Sequence, residues 1–153
     1  MDIKIGSETI KIDKNYLPLI NSYKWRIEEI MPGYKYVVAH IKGEEILLHR
    51  LLKKCRQEKV VDHINGNGLD NRMSNLRICS QAENMMNKNK YKNNKSGYKG
   101  VWFHKNKKRW EVQIRVGGRK IYLGVVKSPK TGAMIYNSAA KKYFGEFAKL
   151  NKI

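Results

Sequence analysis

The sequence predicts an α+β protein: a small β-rich N-terminal unit leads into a strand–loop–strand–helix unit, and a three-stranded antiparallel sheet packed on one helix follows. Three observations predict it. Period-two alternation recurs over residues 3–12, 34–48 and 99–126. Ser80-Gln81-Ala82-Glu83 has the form of a capping box that opens a helix after a short strand. A helical stripe over 131–144 follows the last alternating run.

Residues 3–12 and 34–48 combine alternation with β-branched residues, and Pro32-Gly33 and Lys42-Gly43 supply turns. Between them Tyr16, Leu17, Leu19, Ile20, Tyr23 and Trp25 have the spacing of a short amphipathic helix, with Trp25 as a core anchor. From His49 to Cys55, the residues Leu51, Leu52 and Cys55 form one apolar stripe while Arg50, Lys53, Lys54 and Arg56 stay outside. A short basic helix is expected there. Val60 and Val61 start a strand, an Asn- and Gly-rich loop follows, and Leu76, Ile78 and Cys79 mark the partner strand. Ser80 is then placed to bond the backbone N–H of Glu83, while Glu83 reaches back to that of Ser80, so Asn84 lies in a first helical turn. Residues 87–97 lack apolar periodicity and are dominated by Lys and Asn, the composition of an extended basic linker. Strands over roughly 99–104, 109–116 and 119–126 come next, with Gly117-Gly118 as a two-residue hairpin signal. Ala133, Tyr136, Ala140 and Tyr143 or Phe144 line one face of the final helix, which Gly145 ends.

A formal charge of +19, with a pI near 10.0, exceeds what solubility requires and implies a polyanionic partner, nucleic acid first. Its distribution narrows the reading. Residues 1–48 carry 7 basic and 7 acidic side chains, 49–95 carry 11 and 4, and 96–153 carry 14 and 2, so the positive field grows toward the C-terminus. Cys55 and Cys79 lack the spacing of a structural zinc site and read as buried thiols in a reducing compartment. No signal peptide or long apolar run is seen, so a cytoplasmic protein without a membrane partner is expected.

Hydrolysis of a phosphodiester needs an activated water, a group that neutralises charge building on phosphorus, and stabilisation of the departing 3′ oxygen. Segment 62–84 can supply all three. His63 can take a proton near neutral pH, and Asp62 and Asn84 offer hard oxygen ligands of the kind that Mg²⁺ or Mn²⁺ prefers. Asn65, Asn67 and Asn71 read mainly as turn formers in the loop. His49 carries two readings, a place near the scissile strand and a structural hydrogen bond at the start of a helix.

The residues VDHINGN, NRMSNLR and SQAEN, preceded by LHRLL at 48–52, resemble the HNH endonuclease motif of phage and intron-encoded homing endonucleases, in the variant where Asn replaces the last His. That resemblance implies a ββα-metal fold holding one divalent cation per active site. His63 would be the general base and Asp62 and Asn84 the metal ligands, while Asn75 would bond the hairpin backbone and keep the base oriented. The implied division is a nuclease domain over 1–86 with its ββα motif at about 59–88, a basic linker over 87–97, and a DNA-binding domain over 98–153.

Alternation in the last sheet directs Val101, Phe103, Trp110, Val112, Ile114, Val116, Ile121 and Leu123 toward the helix. The other face then carries Trp102, His104, Arg109, Glu111, Gln113, Arg115, Lys120 and Tyr122, a basic and aromatic surface suited to the major groove. GYKGVWFHKNKKRWEVQIR, KIYLGVV and GAMIYNSAAKKYFGEFAKLN resemble the plant ethylene-response-factor (AP-two) DNA-binding domain. The resemblance puts Lys99, Trp102, His104, Arg109, Gln113, Arg115, Lys120 and Tyr122 on DNA-contacting positions, with Trp102 and His104 standing where the plant pattern has Arg. Lys88, Lys90, Lys92 and Lys95 of the linker are expected to meet phosphates.

The expected function is a metal-dependent homing-type endonuclease acting on double-stranded DNA in a bacterial or phage-infected cell. It is expected to be a monomer, with dimerisation on DNA left open. A DNA-binding regulator with an inactive nuclease unit would predict damage to the catalytic set, and a generic RNA-binding protein would explain the charge but not Asp62, His63, Asn75 and Asn84.

Overall fold

The computed structural model describes residues 1–56, 58–88, 90 and 93–153. The chain divides into two compact units, Met1–Asn84 and Met85–Ile153. In the first, β1 (Asp2–Ile5) and β2 (Glu8–Lys11) form an antiparallel hairpin. A 3₁₀ turn at Lys14–Tyr16 leads into α1 (Leu17–Asn21), whose Pro18 suits a helix start. The helix expected to reach Trp25 stops early because Trp25 opens a strand, β3 (Trp25–Met31). Trp25 still anchors locally, its indole N–H donating to Ile20 O at 3.1 Å. Strand β3 pairs with β4 (Tyr34–Ile41), and β4 pairs with β5 (Glu44–Leu47), both antiparallel. The run expected over 34–48 is therefore two strands, and Leu48 already belongs to α2 (Leu48–Lys53), which ends at Lys54 in a left-handed backbone conformation.

Strands β6 (Val60–His63) and β7 (Leu76–Cys79) pair antiparallel with Asp62 opposite Arg77 and His63 opposite Leu76. Helix α3 (Gln81–Met86) follows, and the capping box forms: Glu83 N–H donates to Ser80 Oγ at 3.2 Å and Ser80 N–H to Glu83 Oε2 at 2.7 Å. One apolar core, built on Ile10, Ile12, Val37, Leu48, Leu52, Val61 and Leu76, lies beneath these elements. The loop over 64–75 is tied to β2 by backbone bonds, Lys11 N–H to Leu69 O at 2.9 Å and Asn71 N–H to Lys11 O at 2.7 Å. Met73 N–H donates to Asp13 Oδ2 at 2.7 Å. Gly68 lets this loop approach closely, since a Cβ there would overlap the Lys35 carbonyl and the Tyr36 ring.

The second unit is a three-stranded antiparallel sheet, β8 (Val101–His104), β9 (Arg109–Val116) and β10 (Arg119–Val126) with β9 central, packed on α4 (Pro129–Phe144). Val101, Val112, Ile114, Tyr136, Ala140 and Phe144 form its buried core. A register shift in β10 between Tyr122 and Gly124 changes which face the following residues present. Phe103 departs from the alternation reading: it is 49% exposed, with its ring edge-on to Trp110 at 5.1 Å. The stretch expected as an extended linker, as far as it is described, falls within this unit. Asn94 Nδ2 donates to Tyr98 O at 2.8 Å and Ser96 Oγ to Val101 O at 2.7 Å, which fastens the chain ahead of β8.

Gly100 has φ +77°, and a Cβ there would overlap the Tyr136 ring. Gly100→Ala adds left-handed backbone strain to overpacking, so it should destabilise the second unit by about 2 kcal/mol or more. Denaturant unfolding of the variant, set beside the parent, checks this; an unchanged midpoint would refute the packing described.

Candidate active site

Asp62 and His63 are the last two residues of β6, and both are buried. Neighbours on a strand point to opposite sides, so the two side chains meet different partners. Asp62 Oδ2 accepts from Arg77 Nε at 2.9 Å and Nη2 at 2.7 Å, an ion pair that follows from their opposed register. The guanidinium supplies the countercharge without which burying a carboxylate is costly. His63 Nε2 lies 3.3 Å from Asn71 Oδ1. Its ring stands 4.8 Å from that of His49, centroid to centroid and near-perpendicular, and 6.0 Å from that of Tyr36. Tyr36 and His49 are themselves 5.5 Å apart, so three rings from β4, α2 and β6 converge.

Burial pushes the His63 imidazole below its ordinary value, opposed by the bond to Asn71 and by the charges of Asp62 and Asp70. His49 falls further, to about 3, through burial first and then the neighbouring His63 and Arg50. Both rings are therefore neutral near pH 7, the form able to accept a proton. Among the described residues, His49 Nδ1 has no hydrogen-bond partner. The structural bond that the sequence left open for His49 is thus not made through that nitrogen.

Asn75 fixes the loop. Its Oδ1 accepts from Asn65 N–H at 3.0 Å, and its Nδ2 donates to Asp70 O at 2.7 Å and Asn65 Oδ1 at 3.1 Å. Asn65 and Asn67 form side-chain turns, accepting from Asn67 N–H at 2.9 Å and Leu69 N–H at 3.0 Å. Arg72 bonds Asp70 at 2.8 and 2.6 Å and holds its carboxyl below the usual range. Asn84 sits half-buried in the first turn of α3, its backbone N–H on Ser80 O at 3.0 Å. A carboxylate at a strand end and an amide oxygen on the next helix are hard donors, and Mg²⁺ is bound by few protein ligands with water and phosphate completing its shell. The donor chemistry of Asp62 and Asn84 fits such an ion. No cluster of three or more His, Cys, Asp or Glu suited to a metal occurs among the described residues, so a site richer in carboxylates is not available there.

In the second unit, opposed residues group the expected DNA face: Trp102 opposite Glu111, His104 opposite Arg109, Tyr122 opposite Gln113 and Lys120 opposite Arg115. Trp102, Arg109, Arg115, Lys120 and Tyr122 are exposed, as are Lys88, Lys90 and Lys95; His104 is half-buried, its Nδ1 accepting from Lys107 N–H at 3.3 Å. Two residues depart from the expectation. Gln113 is only 9% exposed, and its buried Oε1 has no hydrogen-bond partner among the described residues. Lys99 Nζ donates to the carbonyls of Met86 at 2.7 Å and Lys88 at 2.6 Å, and burial lowers its ammonium to about 8. Lys92 lies outside the described residues.

A buried imidazole and a buried carboxylate at the end of one strand, on a strand pair followed by a capped helix, offer groups suited to phosphodiester cleavage, and comparison with known proteins bears on the same segment. Residues 54–86 match the HNH endonuclease model. The chain is 29% identical over 145 residues to an uncharacterized HNH endonuclease, L560, of Acanthamoeba polyphaga mimivirus, covering 94% of this chain and 74% of that one. It is 30% identical over 89 residues to Protein 3.8 of Escherichia phage T7, covering 58% of this chain and 73% of that one. No solved structure matches. The chain is a nuclease that carries an HNH endonuclease domain, and HNH nucleases generally depend on a divalent metal ion. No helix among the described residues is long and apolar enough to cross a membrane.

His49 also sets a pH dependence. In the unfolded chain it charges near 6.5, whereas the fold keeps it neutral down to about 3. The unfolded state therefore binds a proton that the native state refuses, so stability is full above pH 6.5 and declines between there and about pH 3; His63 acts in the same direction. The unfolding midpoint should fall between about pH 7.5 and pH 5, and His49→Gln should reduce that fall. Equal slopes in parent and variant, followed by calorimetry, would show that His49 is not the group responsible.

Proposed function

We propose that this HNH endonuclease is of the homing type and cleaves double-stranded DNA, with His63 as general base and Asp62 and Asn84 holding one Mg²⁺ or Mn²⁺. The observation that carries this reading is the neutral, buried His63 next to the Arg77-paired Asp62 at the end of β6. When bound, the ion would neutralise charge developing on the phosphate. His63 takes a proton from the attacking water, the oxygen of that water bonds phosphorus, and the bond to the 3′ oxygen breaks with its electron pair leaving on that oxygen. Asn75 keeps the hairpin backbone in place, which supports its assignment as an ordering residue. A single such site nicks one strand unless two copies meet on DNA.

The second unit serves, on this reading, as an AP-two-type DNA-binding domain for a chain working as a monomer in the cytoplasm of a bacterial or phage-infected cell. Exposed Arg109, Arg115, Lys120, Trp102 and Tyr122 support it, with Lys88, Lys90 and Lys95 available to phosphates. Lys99 contributes to holding the unit together through its bonds to two backbone carbonyls, whereas Gln113 is buried with its Oε1 lacking a hydrogen-bond partner among the described residues.

Supercoiled plasmid incubated with the protein and Mg²⁺ should be cleaved, EDTA should abolish cleavage, and His63→Ala should slow it by about 100-fold or more. Cleavage surviving both changes would remove the assigned site. On DNA binding, Arg115→Ala should blur target choice at a cost of about 1–3 kcal/mol, whereas Lys95→Ala should weaken all sequences alike and reduce the salt slope by about 1. Equal, sequence-independent losses in both variants would rule out base reading through Arg115.

A further inference from the structure

We propose that Asn71 is the positioning residue of His63, holding the proton on Nε2 so that Nδ1 is the nitrogen that receives the proton of the attacking water; this rests on the reading of His63 as general base. Three observations fix the geometry. Asn71 is fully buried at 0% exposure, so its amide cannot exchange this partner for solvent. Its backbone N–H is pinned to Lys11 O at 2.7 Å, which ties its position to the end of β2. Its Nδ2 donates to Gly68 O at 3.3 Å, which sets the direction of the amide. Turning the amide over would bring Oδ1 against the Gly68 carbonyl, two acceptors face to face, and would leave a buried N–H₂ pointing at the ring. With Nδ2 on Gly68, it is Oδ1 that meets His63 Nε2, at 3.3 Å.

An amide oxygen only accepts, so the ring nitrogen facing it must donate. A general base must be neutral to accept a proton, and a neutral imidazole carries one proton. The proton then sits on Nε2, and the lone pair that accepts from water belongs to Nδ1. After that transfer the imidazolium carries a proton on each nitrogen, and Nε2–H continues to donate to the same oxygen. The bond therefore orders the reactant ring and also stabilises its charged form, as a fixed partner of a catalytic imidazole does. The sequence shows Asn71 as one Asn in a loop rich in turn formers; its contact with His63 spans a loop whose course depends on β2.

Long-range ¹H–¹⁵N correlation on the ¹⁵N-labelled full chain reads the tautomer directly, with His63 identified by comparison with His63→Gln. The native chain should show His63 protonated at Nε2. Asn71→Ala should lose that preference and lower kcat on plasmid by roughly 10- to 100-fold, the range for partners that orient a reactive side chain, with KM little changed. Asn71→Asp keeps an acceptor oxygen and should retain the Nε2–H form and recover part of kcat. A native spectrum with the proton on Nδ1 overturns the proposal, as does an Asn71→Ala protein with native tautomer and native kcat. Should Asn71→Ala not fold, the native spectrum and Asn71→Asp decide. Full cleavage by His63→Ala would instead remove the base assignment while leaving the tautomer result intact, so the two failures are distinguishable.

Discussion

A loop that joins two short strands has too few contacts of its own to hold a reactive ring in one orientation. In this nuclease, the constraint that supplies the order is the attachment of residues 64–75 to the N-terminal hairpin. Lys11 exchanges backbone bonds with Leu69 and Asn71, and Asp13 accepts from Met73. These bonds lie inside a unit whose core includes Ile10 and Ile12, both fully buried. The β1–β2 hairpin thus supports the proposed active site, although the proposed reactive groups lie elsewhere. Moving it would release Asn71, and with Asn71 the side chain that meets Nε2 of His63.

The electrostatics of the site follow from that attachment. Once the loop closes over β6, the rings of Tyr36, His49 and His63 are withdrawn from water and both imidazoles prefer the neutral form. Desolvation of this kind reduces the basicity of His63, which would hinder a general base if nothing opposed it. Asn71, Asp62 and Asp70 do oppose it. Asp62 in turn is buried against Arg77, so its charge acts over a short range in a medium that screens poorly. A hard cation approaching Asp62 meets a carboxylate whose Oδ2 already accepts two bonds from a guanidinium, and the affinity of the site depends on how that competition is resolved.

What the sequence disclosed was what short-range chemistry determines. The pairing of 60–63 with 76–79 and the Ser80/Glu83 box each depend on residues close along the chain, and both occur at the expected places. The spacing of Trp25 to Tyr16 and Ile20 suits a helix, while pairing with Ala39 in β4 makes it a strand residue. Phe103 follows the alternation of its neighbours yet lies near the end of a four-residue strand, where the core no longer covers it. Gln113 has the same parity on β9 as the exposed Arg115 yet is buried, a difference that parity does not carry. The convergence of Tyr36, His49, His63 and Asn71 was illegible for a related reason. These residues come from β4, α2, β6 and a loop, and no periodicity relates positions brought together only by the tertiary fold.

On the proposed reading, charge gives the second unit its part. Residues 1–48 carry equal numbers of acidic and basic side chains, so the part of the chain that orders the loop contributes no net attraction to a polyanion. Residues 96–153 carry 14 basic and 2 acidic side chains, and a surplus of that kind gives affinity that is strong, salt-dependent and indifferent to sequence. Choice among sequences must come from groups with direction, such as a planar guanidinium or an aromatic ring on a rigid strand. Arg115 and Tyr122 occupy such positions in the proposed reading, on β9 and β10, where the bulge at Tyr122 and Gly124 limits the stretch of β10 that shares their face. Residues 49–95, which hold Asp62, carry a smaller basic excess, 11 against 4, and Arg77, the cation paired with Asp62 among the described residues, is set opposite it by strand register.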